Sequence, residues 1–309
     1  MATTVTTTSN YAGKELAPIF GAAYKEADTL RLGLISTMEN VNYKANLRKI
    51  AYTDGTTDYT CGFAPAGAIT LSEKVIEPEK LMNMGHICKE DFRQTWSEDA
   101  GGASASNPNA AADIMEAISM EILASAAEKI DTDIWTGLAA TDGEFAGLIE
   151  QFGADGSIIK ANNGITALNA ATTEANVQAH IKAALDAVPI KIRRRDLTVV
   201  VSPDVFQYYW FRMVALGQAN DGTSEPKQTR FGKYTLTEVN GLPANTICVF
   251  EKKNVVAAYG LSADFNDLQV VDEDAIGLLT GQVRYKMVYN FGVGYYNPTE
   301  IVWLLTTTA

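Results

Sequence analysis

Histidine and cysteine, the residue types that most often bind metals or transfer protons in proteins, are scarce in this sequence. Its 309 residues include two histidines, His86 and His180, and three cysteines. His86 and Cys88 form a single His-x-Cys pair, and on a β-strand alternation would place both side chains on one face. A metal centre would need a second pair of ligands, and none lies nearby in the sequence. We therefore interpret the pair as a feature of a strand, and His180, which falls in a predicted helix, as a surface or edge residue.

Two groups of acidic residues could bind a cation through their carboxylate oxygens. One is Asp131 with Asp133, and the other is the run of Asp272, Glu273 and Asp274. A solvated helix end explains the first group, and a turn after a strand explains the second. The sequence therefore predicts no metal site.

The sequence motifs of common catalytic and cofactor sites are also missing. The chain contains no GxSxG, no GxxxxGK[ST] and no HExxH motif. The segment Gly292-Val293-Gly294 lacks the third glycine and the following helix of a dinucleotide site, and strand glycines at a bend or a close backbone approach explain it better. We predict no catalytic residue, no cofactor and no enzymatic activity. An enzyme with a mixed α/β domain is the less favoured alternative.

A run of basic residues, Lys191 with Arg193, Arg194 and Arg195, follows the predicted end of a helix. Cations at this position interact favourably with the helix dipole. The run could also pair with acidic groups of a neighbouring chain. Binding of free nucleic acid is the third choice, because the whole chain has 37 acidic and 25 basic residues, a net charge of -12, and repels phosphate at long range.

The composition describes a folded, soluble protein. Hydrophobic residues make up 47% of the chain and charged residues 20%, enough apolar material for a large core. The three cysteines, Cys61, Cys88 and Cys248, are scattered without CxxC spacing, which favours reduced thiols and folding in a cytoplasm. The first residues show neither the basic nor the apolar region of an export signal, so we expect none. The sequence has no apolar stretch of about 18 residues, so no membrane segment is predicted.

The first part of the chain predicts elements that reach outward. Residues 1–13 are a Thr-rich arm with too little apolar content to fold alone, and residues 14–37 have the periodicity of an amphipathic helix. Two predicted strands at 41–53 and 68–77 flank a turn region and form a long hairpin. Because an isolated hairpin is marginal in water, this one should lie on something else, plausibly another subunit.

The middle of the chain predicts a long helix and a mixed domain. We predict a short strand from Leu81 to Cys88, followed by a helical turn from Glu90 to Trp96. A long helix comes next: Asn107 caps it, Pro108 is its first residue, and it runs to Gly137. Its apolar residues recur every four positions, so we expect it to change neighbours along its length and to act as a spine. An ordinary long core helix is the alternative. Residues 145–261 then read as helices over a small sheet, including a helix at 172–188, a buried strand DLTVVVS, and a helix capped by Ser202.

The end of the chain predicts a long antiparallel strand. Apolar residues alternate with polar or small ones from Tyr285 to Tyr295, which gives the strand one packed face. The spine helix is the only large unpaired apolar element that could cover it.

This order of elements resembles the major capsid proteins of tailed phages, of the Hong Kong 97 type, over essentially the whole chain. Four sequence segments show the resemblance: EKVIEPEKLMNMGHICKEDFRQTW, LTVVVSPDVFQYYW, NGLPANTICVFEKKNVVAAYGL and RYKMVYNFGVGYYNPTEIVWLL. It implies an α+β fold with an N-terminal arm and helix (1–38), an extended loop (39–80), a peripheral domain with the spine helix (81–144), an axial domain (145–261) and return strands of the peripheral domain (262–309).

The resemblance also implies a function. The chain would be a structural protein that self-assembles, as pentamers and hexamers, into the icosahedral head of a tailed phage around double-stranded DNA. Separate scaffolding, portal and decoration proteins are possible partners, and assembly would occur in the host cytoplasm. Some relatives form a Lys–Asn isopeptide bond between subunits, for which Lys44 or Lys49 with Asn297 would be conceivable here, although no motif supports it. An encapsulin-like compartment shell is the closer alternative.

Overall fold

The described part of the chain folds into a five-stranded sheet, a six-stranded sheet and a two-stranded hairpin. In this computed structural model, the described residues are 28–59, 61–62, 66–88, 112–162, 165, 168, 170–216, 228–261, 268–274, 276–278 and 280–305. The predicted arm, the helical turn at Glu90–Trp96 and the cap at Asn107–Pro108 lie outside these residues. None of the helices in the described ranges combines the length and the apolar character needed to cross a membrane.

Five α-helices and thirteen strands are described. The helices are α1 (Asp28–Arg31), α2 (Ala112–Thr136), α3 (Leu148–Ala154), α4 (Val177–Asp186) and α5 (Pro203–Ala215). The strands are β1 (Ser36–Met38), β2 (Ala45–Thr53), β3 (Ala68–Ile76), β4 (Glu79–Cys88), β5 (Ile159–Lys160), β6 (Leu197–Val201), β7 (Gln228–Phe231), β8 (Tyr234–Glu238), β9 (Thr246–Glu251), β10 (Val255–Tyr259), β11 (Gln269–Asp272), β12 (Gln282–Tyr295) and β13 (Val302–Leu305).

The long strand β12 is the centre of the five-stranded sheet. It pairs antiparallel with β10, β11 and β4, and β1 extends the sheet beyond β10. Its residues Met287, Tyr289 and Phe291 are buried in one core cluster with Ile130 and Ile134 of the spine helix α2. The prediction that the spine helix covers the alternating face of this strand is therefore confirmed.

The six-stranded sheet, in the order β5-β13-β9-β6-β8-β7, lies between two cores. Because side chains alternate along β6, Val200 points to the core that contains α2, whereas Val199 and Val201 point to the core formed with α4 and α5. The buried strand and the two helices that the sequence predicted here are confirmed. The two sheets exchange strands between the predicted segments: β10 of 145–261 joins the five-stranded sheet, and β13 of 262–309 joins the six-stranded one.

Only the end of the helix predicted at 14–37 lies within the described residues, and there the prediction is wrong. Helix α1 stops at Arg31, and β1 begins at Ser36. Gly33 takes a positive φ of 59°, and the Gly33 and Leu34 amides donate back to the carbonyls of Leu30 and Thr29. This is the usual glycine termination of a helix, and it outweighs the apolar periodicity that continues through Leu34.

Candidate assembly surfaces

The hairpin β2–β3 is fixed to its own subunit at its base. Strands β2 and β3 pair from Ala45 opposite Ile76 to Thr53 opposite Ala68. At the base, Ala45, Leu47 and Ile76 are buried in a small cluster with Val256 and Ala258 of β10. The base of the hairpin therefore belongs to the folded subunit, although the sequence alone suggested that the whole hairpin depends on a neighbour.

Two glycines of β12 make room for this contact. A Cβ atom on Gly294 would lie 2.6 Å from Cγ1 of Ile76, and one on Gly292 would lie 3.0 Å from Cα of Pro78. Both distances are shorter than ordinary carbon–carbon contacts. The Gly292-Val293-Gly294 segment thus marks a close backbone approach, as predicted.

Polar contacts secure the same region. The Lys74 ammonium lies 3.1 Å from the centroid of the Tyr295 ring, and the Tyr295 hydroxyl donates to Oδ2 of Asp155 at 2.9 Å. Burial lowers the pKa of Lys74 to about 8, although the nearby carboxylate of Asp155 acts in the opposite direction. Burial and the hydrogen bond to Asp155 together raise the pKa of Tyr295. The sequence identified Tyr295 as part of the alternating strand, but it did not identify Lys74 or Asp155. For Lys74 the available signal was strand alternation, which places it on the same face as buried Ile76.

The lysines considered for a covalent link have partners inside the subunit. Lys49 Nζ donates to Oδ1 of Asn297 at 2.7 Å, and Thr299 donates to the same oxygen. Lys44 pairs with Glu77 at 2.5 Å. The structure therefore brings Lys49 to Asn297 within one chain, as part of the hairpin base.

The far part of the hairpin exposes an apolar face. Cross-strand pairs place Ile50 opposite Leu71 and Tyr52 opposite Ile69, and all four side chains are about two-thirds exposed or more. We call these four residues the hairpin face. The loop beyond them adds Tyr59, which is 93% exposed, and the exposed carboxylates of Asp54 and Asp58. Apolar side chains gathered on one exposed face are typical of surfaces that bind another protein.

A second exposed surface lies on the outer face of the five-stranded sheet. Since β12 pairs without a bulge, the side that the hairpin base covers at Gly292 and Gly294 continues along the strand to Val288, Lys286 and Arg284. On β4, exposed Met82 and Met84 lie opposite Val288 and Lys286, and His86 lies opposite Arg284. We call these six residues of β4 and β12 the outer sheet face. Half of them are apolar, and the other half are Lys286, Arg284 and His86.

The predicted side-chain placement of His86 and Cys88 follows from the same strand. Both are even-numbered residues of β4 and share its outer side, and both are partly buried. Within the described residues no group of three or more His, Cys, Asp or Glu side chains could hold a metal ion.

The basic run divides between internal contacts and an exposed cleft. Arg193 donates to the carbonyls of Asp186 and Val188 at the end of α4, as the helix-dipole interpretation predicts, and Arg195 pairs with Glu251 at 2.7 Å. Arg194 is exposed and has no ion pair with any residue in the described ranges. It lines a cleft of about 330 Å³ with Arg195, Lys233 and Tyr234.

The interpretation of Asp131 and Asp133 as a solvated helix end is wrong. Both carboxylates are 2% exposed. Oδ1 of Asp131 accepts a hydrogen bond from the Thr29 amide at 2.9 Å, which joins α1 to α2, and Asp133 pairs with Lys129 at 2.8 Å. Burial raises the pKa of both aspartates. Their role is to hold elements together inside the fold.

The second acidic group is the turn that the sequence predicted. Oδ1 of Asp274 accepts from the Gly281 amide, and Oδ1 of Asp272 accepts from the Asp274 amide. Buried Glu273 pairs with Arg284.

The prediction of His180 as a surface or edge residue is wrong. Its side chain is fully buried, and Nδ1 lies 3.2 Å from Oγ1 of buried Thr172. Its position, three residues after buried Val177 and one before buried Ile181, is the spacing of a buried helix face. That spacing was the signal that could have located it.

Comparisons with known proteins support the fold. No protein-family model matches the chain, and no curated protein sequence is significantly similar to it. Solved structures are similar over nearly the whole length of both chains. They include the capsid of the native GTA particle (TM-score 0.64, 12% identity, 96% of this chain and 95% of the other), the capsid of cyanophage A-1(L) (0.61, 14%, 98% and 99%) and the capsid of cyanophage P-SCSP1u (0.55, 15%, 97% and 93%). The chain therefore has the fold of phage capsid proteins of the Hong Kong 97 type, as the resemblance in its sequence implied.

Proposed function

We propose that the chain is the major capsid protein of a tailed phage, and that copies of it assemble into an icosahedral head around double-stranded DNA. The observation that carries the proposal is a hairpin whose base is built into its own subunit while its far part exposes an apolar face. A lone soluble protein gains nothing from such a projection, whereas a shell needs many repeated contacts that reach between subunits.

The exposed surfaces suggest how neighbouring copies meet. The hairpin face is apolar and ends in a loop with Asp54 and Asp58. The outer sheet face combines apolar side chains with the exposed cation of Lys286, whereas Arg284 already pairs with Glu273 of its own subunit. The two surfaces are therefore complementary in both polarity and charge. We expect the hairpin face of one copy to pack on the outer sheet face of the next, beside that copy's own hairpin base.

The rest of the proposed function follows from the same assembly. Copies form pentamers and hexamers, and the segment 145–261 acts as the axial domain that meets its copies around their axes. The protein acts without catalysis, cofactor or metal in the virion capsid, after assembly in the host cytoplasm. Scaffolding, portal and decoration proteins are its further partners. Packaged DNA contacts it only non-specifically, because the net charge of -12 repels phosphate.

Electron microscopy of the expressed and purified chain tests the proposal. We expect uniform shells, tubes or ring-shaped capsomers. A stable monomer under all conditions of concentration and salt would contradict it. Native particles that enclose a protein cargo and no DNA would instead assign the chain to a compartment shell.

A further inference from the structure

The six-stranded sheet has two ends that differ in charge. Strands β6, β8 and β13 start at one end, where β9 stops, and they stop at the other end. The ends are about 16 Å apart, because β6 has five residues and a strand rises about 3.3 Å per residue. Helix α4 runs between the same ends: the Thr172 amide before it donates to Asn245 before β9, and the segment after it leads into β6. We call the end where β6 starts, with the run from Lys191 to Arg195 and with Lys233, the basic end; the opposite end is the acidic end.

The basic end gathers cations that the described residues do not neutralise. Lys191, Arg194 and Lys233 are exposed, and none of them pairs with a carboxylate in the described part of the chain. Arg193 donates to two backbone carbonyls, which hold its side chain in place but carry no full charge. Because the whole chain has a net charge of -12, these four cations make the basic end a local reversal of sign.

The cleft at the basic end keeps a positive excess after its internal contacts are made. Arg195 is neutralised by two glutamates, which pair with it at 2.7 and 3.4 Å. The exposed carboxylate of Asp196 also lines the cleft, beside the cations of Arg194 and Lys233. The cleft has a volume of about 330 Å³. It can therefore accept a further carboxylate.

The acidic end has the opposite charge. It is formed by segments that contain three acidic residues and no lysine or arginine, namely 170–177, 201–206 and 236–247. Asp204 is held by the Asn245 amide, which donates to its Oδ2 at 2.8 Å, and Glu238 is half-buried at the end of β8. Glu174 is exposed just before α4. Of the three carboxylates, that of Glu174 is therefore the most accessible to a partner.

We propose that the basic end of one copy contacts the acidic end of a second copy, with Arg194 and Lys233 of the first facing Glu174 of the second. Such a contact joins two different surfaces, so copies can add head to tail until a ring closes. A pair that joins two basic ends or two acidic ends is disfavoured, because like charges would lie opposite each other. The inference rests on the proposed function, for which it names the contact between copies of one capsomer.

Assembly of charge-reversed variants tests the contact. Arg194→Glu and Glu174→Arg each place like charges opposite each other. Each should raise the protein concentration needed for assembly on the order of tenfold, because every copy makes the contact twice and repulsion replaces attraction. The double variant restores opposite charges and should assemble at a concentration close to that of the natural chain. Both positions are exposed, so the circular dichroism spectra should not change.

Lys182→Glu is the matched control. It makes the same change of charge at an exposed position of α4, between the two ends, where Lys182 pairs only within its own helix, with Asp186. We expect this variant to assemble like the natural chain.

A mixture of the two single variants gives a second measurement. Arg194→Glu makes the basic end acidic, and Glu174→Arg removes the exposed carboxylate of the acidic end and puts a cation there. An equal mixture should therefore associate with the two variants alternating. An alternating ring closes only with an even number of copies, so electron microscopy should show six-membered rings or tubes and no five-membered rings.

The outcomes separate this contact from the proposed function. If both single variants assemble normally, or if neither the double variant nor the mixture assembles better than the single variants, the contact is overturned while the shell function stands. A natural chain that never associates would overturn the contact together with the proposed function.

Discussion

Adding a single methyl group to Gly294 should loosen the hairpin base. In Gly294→Ala the new Cβ atom would lie 2.6 Å from Cγ1 and 2.8 Å from Cδ1 of Ile76, about 1 Å inside an ordinary carbon–carbon contact. Both residues are buried and the hairpin base is close-packed, so the collision must be relieved by moving β3 away from β12. Overpacking of this kind costs about 1–3 kcal/mol.

Chemical unfolding and hydrogen exchange of the variant measure this cost. We expect Gly294→Ala to lower the free energy of unfolding by about 1–3 kcal/mol or, if the base opens first, to remove protection from residues 45–49 and 72–76. The double variant Gly294→Ala with Ile76→Ala should recover part of the loss that the two single changes cause, because it removes the colliding atoms.

Gly153→Ala is the matched control, since a Cβ at Gly153 in α3 meets no atom within 4 Å. It should leave the hairpin unchanged and stabilise the subunit by up to about 1 kcal/mol. If Gly294→Ala is as stable and as well protected as the natural chain, β3 and β12 do not pack as closely as described.

Three further changes separate folding from assembly. Leu71→Asp should keep the free energy of unfolding within about 0.5 kcal/mol of that of the natural chain, because Leu71 is 69% exposed, yet it should abolish shells in electron microscopy, because Leu71 lies on the hairpin face. Its control Ser72→Asp, on the opposite side of the same strand, should still assemble. Arg194→Glu should also keep the circular dichroism spectrum and impair assembly, and normal shells would show that the cleft is no interface. Ile134→Asp should abolish folding, since it puts an unpaired charge at a fully buried position of α2 at a cost of several kcal/mol; a folded variant would contradict the described core.

Local patterns in the sequence located most elements of the fold. The alternation from Tyr285 to Tyr295 predicted β12, and the four-residue period of α2 predicted its packing partner, because a face of that size must be covered. The isoleucines of α2 are buried to different extents, and the four-residue period of the sequence does not show this difference. Ile122 is only partly buried, whereas Ile130 and Ile134 are buried against the five-stranded sheet.

Contacts between distant segments could not be predicted from local pattern. The burial of Asp131 depends on the Thr29 amide, 102 residues away, and the environment of Lys74 depends on Tyr295 and Asp155. From sequence alone a charged residue is predicted to be solvated, because burial of a charge requires partners that only the fold supplies. The same reason explains why the sequence suggested a hairpin that depends wholly on a neighbour, when its base packs on its own sheet.

A cryo-electron microscopy reconstruction of particles assembled from this chain tests the central claim most directly. The account predicts a closed shell in which the hairpin face, with Ile50 and Leu71, lies against Met82 and Met84 of the outer sheet face of a neighbouring copy. A reconstruction in which Met82 and Met84 face solvent and the hairpin contacts no second copy would contradict it.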